Sequence, residues 1–150
     1  MELRQLISHW NQVRAGLLAT MDKFKDAELA YVPFEGGWSV GQILLHIAHE
    51  EDGEIRQGIT RELLQWPSGY APKEYPTMES IKTLLTKVHS RTEQYLQTLD
   101  DGDLDRDIET PWNKTIQLRM MIWHVLEHEI HHRGELSLIL GMLGHEGLDA

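Results

Sequence analysis

The chain has no cysteine among its 150 residues. A disulfide framework, a thiolate metal site and a cysteine nucleophile are therefore excluded, and any thiol chemistry must use a thiol supplied from outside. Long apolar runs are also missing, since none approaches the roughly 18 residues that a membrane-spanning helix needs. The N-terminal segment MELRQLISHW lacks a basic region followed by an apolar one, which is the pattern of a secretion signal. We therefore expect a cytoplasmic protein with no membrane partner.

Positive charge is scarce. The chain has 14 Lys and Arg residues against 24 Asp and Glu residues, which gives a formal net charge of −10. Nucleic acids are bound through clustered basic side chains that displace counterions from phosphates. The charge balance therefore argues against a nucleic-acid partner.

What is present is an ordinary globular composition, with 41% hydrophobic and 25% charged residues. The length predicts a single domain over residues 1–150. Apolar residues recur at three- and four-residue steps in four segments, and no segment reads as a convincing strand. The pattern predicts an all-α four-helix bundle with long loops. The expected helices are Glu2–Phe24, Ser39 to about Gln65, a third from Thr77, and a last one starting between Thr115 and Leu118 and ending near Leu143.

Three of the nine histidines stand out by their position on the predicted helices. His128 and His132 are four residues apart, so they share one helix face and border its apolar stripe. His46, on the second helix, lies among apolar neighbours and also points inward. Neutral imidazoles crowded together lose hydration and gain little from one another, whereas a divalent cation can bond each ring nitrogen. The spacing predicts a metal site formed by His46, His128 and His132.

The other histidines receive plainer interpretations. His124 continues the four-residue spacing and competes with the three as a ligand, although we favour a supporting or pocket-lining role. His9 and His89 are expected at the surface or at helix edges. His145 falls in the glycine-rich tail.

The segment from His128 to His132 also reads H-E-x-x-H, the zinc-protease motif, in which the glutamate is a general base. That motif needs a third ligand further along the chain. Only Glu135, on the same helix, and Glu146, in the tail, follow it. A metalloprotease is therefore the third choice among the functions considered.

The stretches GGWSVGQILLHIAHEE and HVLEHEIHHRGEL resemble the two motifs of the DinB-like family of bacterial proteins. The resemblance implies a four-helix bundle that holds one divalent metal through His46, His128 and His132. Some members are similar to thiol transferases that use bacillithiol, and related proteins are mycothiol-dependent isomerases. The resemblance further implies a homodimer, and the first helix carries aromatic and apolar residues beyond one narrow stripe, including Trp10, which favours the same expectation. The alternative interpretation of Trp10, which we prefer for that residue, is a core position.

We therefore expect a metal-dependent enzyme that joins a small-molecule thiol to an electrophile, as bacillithiol S-transferases do. Zinc or nickel is the expected ion, with iron as an alternative, because imidazole suits all three. Glu50 or Glu129 is expected to hold a ligand imidazole or to accept a proton. The alternative is a metal-binding bundle without catalysis, in which a protein group would close the fourth coordination position.

Overall fold

The computed structural model describes residues 2–146, and over this range the chain forms a four-helix bundle with a two-stranded sheet at one end. The four helices are α1 (Leu3–Met21), α2 (Val40–Gly53), α3 (Met78–Leu96) and α4 (Leu118–Met142). Short 3-10 turns occupy Asp26–Ala30, Pro72–Glu74 and Asp101–Asp105. Within the described residues, no helix is both long and apolar enough to cross a bilayer.

Two helices begin with side-chain caps that can be read in the sequence. Ser39 accepts a hydrogen bond from the Gln42 amide, and the Gln42 side chain accepts one from the Ser39 amide. Thr77 and Ser80 make the same reciprocal pair at the start of α3. Such boxes satisfy amides that the helix itself cannot pair, so they fix where α2 and α3 begin.

The prediction that α2 runs to about Gln65 was wrong. A π-helical segment, Glu54–Ile59, follows α2 directly, and the helix ends where Arg61 adopts a left-handed backbone with φ 57°. The Arg61 guanidinium donates to the Glu109 carbonyl oxygen, which ties this end of the helix to the sheet. The remaining residues up to 71 are irregular.

The expectation of no strand was also wrong. β1 (Asp107–Glu109) and β2 (Thr115–Gln117) pair antiparallel, with Ile108 opposite Ile116. Each strand has three residues, which is too short for an alternating pattern to be recognised in the sequence. The hairpin lies directly before α4 and leads the chain into it.

The apolar core is divided into two clusters. One contains Leu17, Leu44, Leu85 and Leu136, and the other contains Trp10 together with residues near the hairpin end of the bundle, among them Leu96 and Ile122. Trp10 is therefore a core residue, and it gives no support to a dimer interface on α1.

A buried polar layer lies where the two clusters meet, and each helix contributes one member to it. Arg14 of α1 bonds Glu51 of α2 at 2.5 Å and Glu129 of α4 at 2.8 Å. His89 of α3 contacts Glu51 through Nδ1 at 2.8 Å and the Asn11 side-chain oxygen through Nε2 at 2.9 Å. Both ring nitrogens of His89 therefore face oxygen atoms. The Arg14 guanidinium lies between the two carboxylates of the layer.

Candidate metal centre

The imidazole rings of His46, His128 and His132 converge on one point between α2 and α4. The Nε2 atom of His128 lies 3.0 Å from that of His46 and 3.1 Å from that of His132. The rings meet edge to face, with centroids 4.4–5.0 Å apart. The residues singled out by spacing are therefore brought together, while His124 stands apart from this group.

This arrangement fits a metal ion. Two nitrogens at about 2.0–2.1 Å from one ion, at angles between octahedral and tetrahedral, lie about 2.9–3.4 Å apart. The two measured separations fall within that range. Among residues 2–146, three groups have ligand atoms close enough to share an ion, and the other two, His46 with His49 and Glu50 and His131 with His132 and Glu135, each overlap this one at a single histidine. No fourth side chain of the described residues is grouped with all three histidines of the cluster.

Glu135 fixes the orientation of one ring. Its Oε2 lies 2.7 Å from His132 Nδ1, so Nδ1–H donates to the carboxylate and the Nε2 lone pair faces the other two rings. A carboxylate on the far nitrogen is the usual companion of a metal-binding histidine, because it selects the tautomer and raises the basicity of the ring. Sequence reasoning missed this role, although the three-residue spacing on α4 would have allowed it.

Burial keeps two of the three rings uncharged. It is the largest of the causes that lower the pKa of His46 to about 4, and the neighbouring His132 and His49 contribute to that shift. Burial likewise lowers the pKa of His128 to about 3, assisted by His132 and His46. Both rings are therefore neutral at physiological pH, which is the form that can bind a cation.

Glu129 does not face the cluster, contrary to the role expected for it. Its side chain is 2% exposed and belongs to the polar layer, where Arg14 donates to both of its oxygens and Trp10 Nε1 donates to Oε2 at 2.8 Å. With its oxygens engaged on this side of α4, Glu129 cannot serve as the general base of an H-E-x-x-H site. This geometry weighs against the protease interpretation.

Comparison with known proteins was made by sequence and by structure. Residues 9–136 match the profile of the DinB superfamily. The chain belongs to the DinB superfamily. This membership agrees with the bundle fold and with the two sequence motifs.

A relative within the DinB superfamily is YfiT of Bacillus subtilis, which is 28% identical over 148 residues, covering 87% of this chain and 81% of YfiT. The structure of YfiT, described as "a probable metal-dependent hydrolase with an unusual four-helix bundle topology", superimposes with a TM-score of 0.63 over 93% of this chain and 87% of YfiT at 26% identity.

Two further structures share the fold. A DinB-like protein from Bacillus cereus superimposes with a TM-score of 0.78 at 16% identity, covering 99% of this chain and 97% of the other. A mycothiol-dependent maleylpyruvate isomerase gives a TM-score of 0.64 at 14% identity, over 88% of this chain and 60% of the isomerase.

Two pockets flank the three-histidine cluster of this DinB superfamily protein, and Trp38 lines both. The larger, of about 650 Å³, reaches His132, and the smaller, of about 270 Å³, reaches His46. The Trp38 ring meets the His46 ring edge to face, with centroids 4.6 Å apart. The cluster is therefore accessible from two sides.

Further acidic groups follow the α2–α4 interface away from the cluster. Glu50 Oε1 is 3.8 Å from Nδ1 of both His46 and His49. One turn later, Glu54 Oε1 lies 3.5 Å from His124 Nε2. This places Glu50 beside the cluster, as expected, and makes His124 a neighbour of Glu54 on the partly exposed rim.

Two other histidines differ from expectation. His89 was expected at the surface, yet it is buried in the polar layer. His145 was assigned to the tail, and it bonds the Glu28 carboxylate at 2.7 Å. Neither contact has a sequence signal, because both join residues that are distant along the chain.

Proposed function

We propose that the protein binds one divalent metal ion through His46, His128 and His132, and uses it to join a small-molecule thiol to an electrophile. The observation that carries the proposal is the convergence of three Nε2 atoms between two pockets, which offers three protein ligands with room beside them. A structural site would be expected to close with a fourth protein group, whereas a catalytic site leaves that position to water or substrate.

The reaction class follows from the chemistry of such a site. A divalent ion held by three neutral ligands keeps its full charge and favours a thiolate over a thiol. The sulfur then forms a bond to the electrophilic carbon, the leaving group departs with its electron pair, and the thiol proton is released. Because the chain has no cysteine, the thiol must be a separate molecule, and we infer one of the bacillithiol type.

The chain's own residues have distinct parts in this proposal. Glu135 holds His132 in one tautomer, and Trp38 packs against His46 between the two pockets. Glu50, next to His46 and His49, is the carboxylate that we assign to receive the thiol proton. Two pockets on either side of Trp38 suit a reaction with two substrates.

Hydrolysis is the second candidate, and the similarity to YfiT favours it. An ion at the same three histidines would lower the pKa of a bound water instead of a thiol. The two reactions differ in the nucleophile, so they are separated by whether product formation requires an added thiol. Zinc and nickel remain our first choices of ion, with iron as the alternative.

Metal content and turnover test the proposal together. We expect about one ion per chain in the purified protein, and loss of most of it in His128→Ala and His132→Ala. The zinc-loaded protein should accelerate the reaction of a low-molecular-weight thiol with monochlorobimane, in which a carbon–sulfur bond replaces a carbon–chlorine bond and chloride leaves.

His131→Ala is the matched control, because His131 adjoins His132 on α4, has 67% of its side chain exposed and contacts Glu135 at 3.1 Å without joining the three-histidine cluster. It should keep both the metal and the activity. Full metal content in both ligand variants would contradict the proposed site. Metal binding without turnover of any thiol or ester would leave the non-catalytic bundle as the function.

A further inference from the structure

The larger pocket gathers apolar side chains that the fold does not need to expose. Eight large hydrophobic residues are exposed in the described part of the chain, and four of them line this one pocket: Phe34, Trp38, Leu138 and Met142. Single exposed apolar residues are common, whereas a contiguous group usually marks a binding surface. The grouping therefore indicates a binding site.

The pocket has rigid walls on two sides. The turn that precedes α2 supplies Phe34 and Trp38, and the last turns of α4 supply Leu138, Ile139 and Met142. The Phe34 ring lies so close to Gly37 that a β-carbon there would meet it at 2.9 Å. At about 650 Å³, the space falls in the range of small-molecule sites, which is roughly 300–1,000 Å³.

Polar groups are confined to one end of the pocket. His132 and Glu135 lie there, and Glu135 is the one charged residue in the lining, which contains no Lys or Arg. The Glu135 carboxylate is already bonded to His132 at 2.7 Å and to His131 at 3.1 Å. Among the side chains of the lining, a ligand with a carboxylate or phosphate would meet no cation and one anion, in a chain of net charge −10, so without the metal the pocket disfavours anions.

The apolar end and the histidine cluster belong to one continuous space. His132 contributes its ring to the pocket wall and its Nε2 atom to the cluster. A molecule whose body lies against Leu138 and Met142 therefore presents one end to the three histidines. This continuity favours a small-molecule substrate over a protein partner, which would need a wider surface.

We propose that this pocket binds the body of the electrophilic substrate, and that the substrate is an uncharged molecule with an aromatic or alkyl group. The inference rests on the proposed function for the role of substrate, and on the pocket lining for the chemical class. The smaller pocket beside His46, lined by Gln42, His49 and Tyr70, is left for the more polar thiol.

Inert analogues test the pocket without any reaction. We expect 4-ethyl-, 4-propyl- and 4-butylbenzyl alcohol to bind the metal-free protein in nuclear magnetic resonance titrations, with the dissociation constant falling about three- to fourfold per added methylene. The anionic 4-butylbenzenesulfonate should bind at least tenfold more weakly than the butyl alcohol. Equal binding of the neutral and the anionic probe would overturn the assigned class.

Matched variants locate the binding. Met142→Gln and Leu138→Asn should each raise the dissociation constant of 4-butylbenzyl alcohol about threefold or more, and the double variant should raise it at least tenfold. Met120→Gln is the control for the first, since Met120 and Met142 lie on the same helix with 53% and 52% exposure. Leu64→Asn, at another exposed leucine, is the control for the second. If the control variants weaken probe binding as much as the pocket variants do, the alcohol does not bind in this pocket.

Turnover of thiol and electrophile in the same variants separates this inference from the proposed function. Probe binding with the expected size dependence but no turnover would retain the pocket and reject the thiol transfer. If the protein turns over thiol and electrophile but the double variant binds the probe as tightly as the wild type, the proposed reaction stands and the assignment of the pocket as the binding site is wrong. If light scattering shows that the double variant converts a dimer into a monomer, the patch is a self-association surface and the small-molecule assignment is wrong.

Discussion

Arg14 forms ion pairs with two buried carboxylates, and these ion pairs shift the pKa values of Arg14 and Glu51. Burial opposes its charge, but Glu51 and Glu129 more than compensate, so the pKa of Arg14 is raised above its ordinary value. Burial would raise the pKa of Glu51, yet Arg14 and the hydrogen bond from His89 hold it well below its usual range. Arg14 and Glu51 are therefore both ionised at neutral pH, and the removal of Arg14 leaves its buried carboxylate partners without a cation.

Arg14→Met should be strongly destabilising for this reason. Removing one partner of a buried ion pair costs about 3–5 kcal/mol, because the remaining charge stays buried without compensation. Urea unfolding of Arg14→Met measures the loss, and Arg4→Met, at an exposed position on α1, serves as the control, with an expected change within about 0.5 kcal/mol. A loss below about 1 kcal/mol in Arg14→Met would contradict the account of the layer.

Glu54 is a carboxyl in the opposite situation. It is 5% exposed and one of its oxygens has no hydrogen-bond partner. Burial raises its pKa to about 8, and the nearby Glu50 adds to the shift. His124, at 3.5 Å across the interface, lies on the partly exposed rim. At neutral pH the folded protein therefore keeps a proton on Glu54 that the unfolded chain would release.

Glu54→Gln should change how stability depends on pH. Because the folded pKa of about 8 exceeds the ordinary 4.5, the contribution of Glu54 is fully present below about pH 4.5 and is lost as pH rises through 8. Urea unfolding of the metal-free protein at pH 5.5 and 8.5 measures this effect. Between the two pH values, the free energy of unfolding of the wild type should fall by on the order of 2–4 kcal/mol more than that of Glu54→Gln.

Glu35→Gln, at an exposed carboxyl in the turn before α2, is the control and should follow the wild-type profile. Parallel profiles for the wild type and Glu54→Gln would show that Glu54 ionises normally in the folded protein.

The sequence predicted the three histidines of the cluster and Glu50 beside them, but not the other residues that surround them. His128 and His132 follow from the four-residue repeat of a helix, and His46 from its apolar neighbours. Glu129 was given a role at the cluster because it is adjacent in sequence, although successive residues of a helix point about 100° apart. The contacts of His89 and of Trp38 depend on how the helices are arranged around each other, which local sequence does not encode.

At the scale of elements, the end of α2 is the least regular part of the bundle. The α-helix gives way to a π-helical segment at Glu54, and such segments are frequent at functional sites. Gly53 stands at this junction, where the Trp66 ring covers it so closely that a β-carbon would meet the ring at 2.4 Å. The glycine therefore allows the loop after α2 to fold back onto the helix.

Gly53→Ala should destabilise the protein by displacing Trp66, by roughly 1–3 kcal/mol, as overpacking does in cores. Gly134→Ala is the matched control on α4, because a β-carbon there meets nothing within 4 Å. That change should stabilise the helix by about 0.5–1 kcal/mol. Thermal melts compare the two, and a stabilised Gly53→Ala would show that the ring does not rest on the glycine.

The main helices were predictable because their patterns are long. Leu3–Met21 and Leu118–Met142 show repeated apolar spacing over many turns, and α2 and α3 have recognisable caps. The π-helical segment has no such pattern, because its hydrogen bonding shifts by one residue without a change in composition. For this reason α2 was extended beyond its actual end. The strand pair was missed because three residues carry too little periodicity.

For the molecule as a whole, the proposed ion should add stability without being required for folding. Both apolar clusters exclude His46, His128 and His132, so the metal-free chain keeps its core. An ion at 100 times its dissociation constant stabilises the folded state by about 2.7 kcal/mol. For a chain of this size, that is a melting temperature about 5–10 °C higher.

Chelator should therefore lower the melting temperature of the wild type by this amount at neutral pH and leave a folded protein. His128→Ala should show no chelator effect, while His131→Ala should behave as the wild type. Complete unfolding of the wild type by chelator would mean that the ion is the main source of stability.

The homodimer stays a prediction. Trp10 no longer supports it, because Trp10 is a core residue. A monomeric mass by light scattering at micromolar concentration would contradict it.

The polar layer also bears on how this sequence can vary. Arg14, Glu51, His89 and Glu129 come from four different helices, and each has its partner on another helix. A substitution at Arg14 leaves two carboxylates buried without their cation, and a substitution at His89 leaves a buried Glu51 oxygen without its partner, so single changes are penalised while coordinated changes to an apolar set are not. Among homologous chains, the four positions should covary as a unit and be either retained together or replaced together. Among the described residues no hydrogen bond or ion pair joins the histidine cluster to this layer, so the cluster should be kept or lost independently of it.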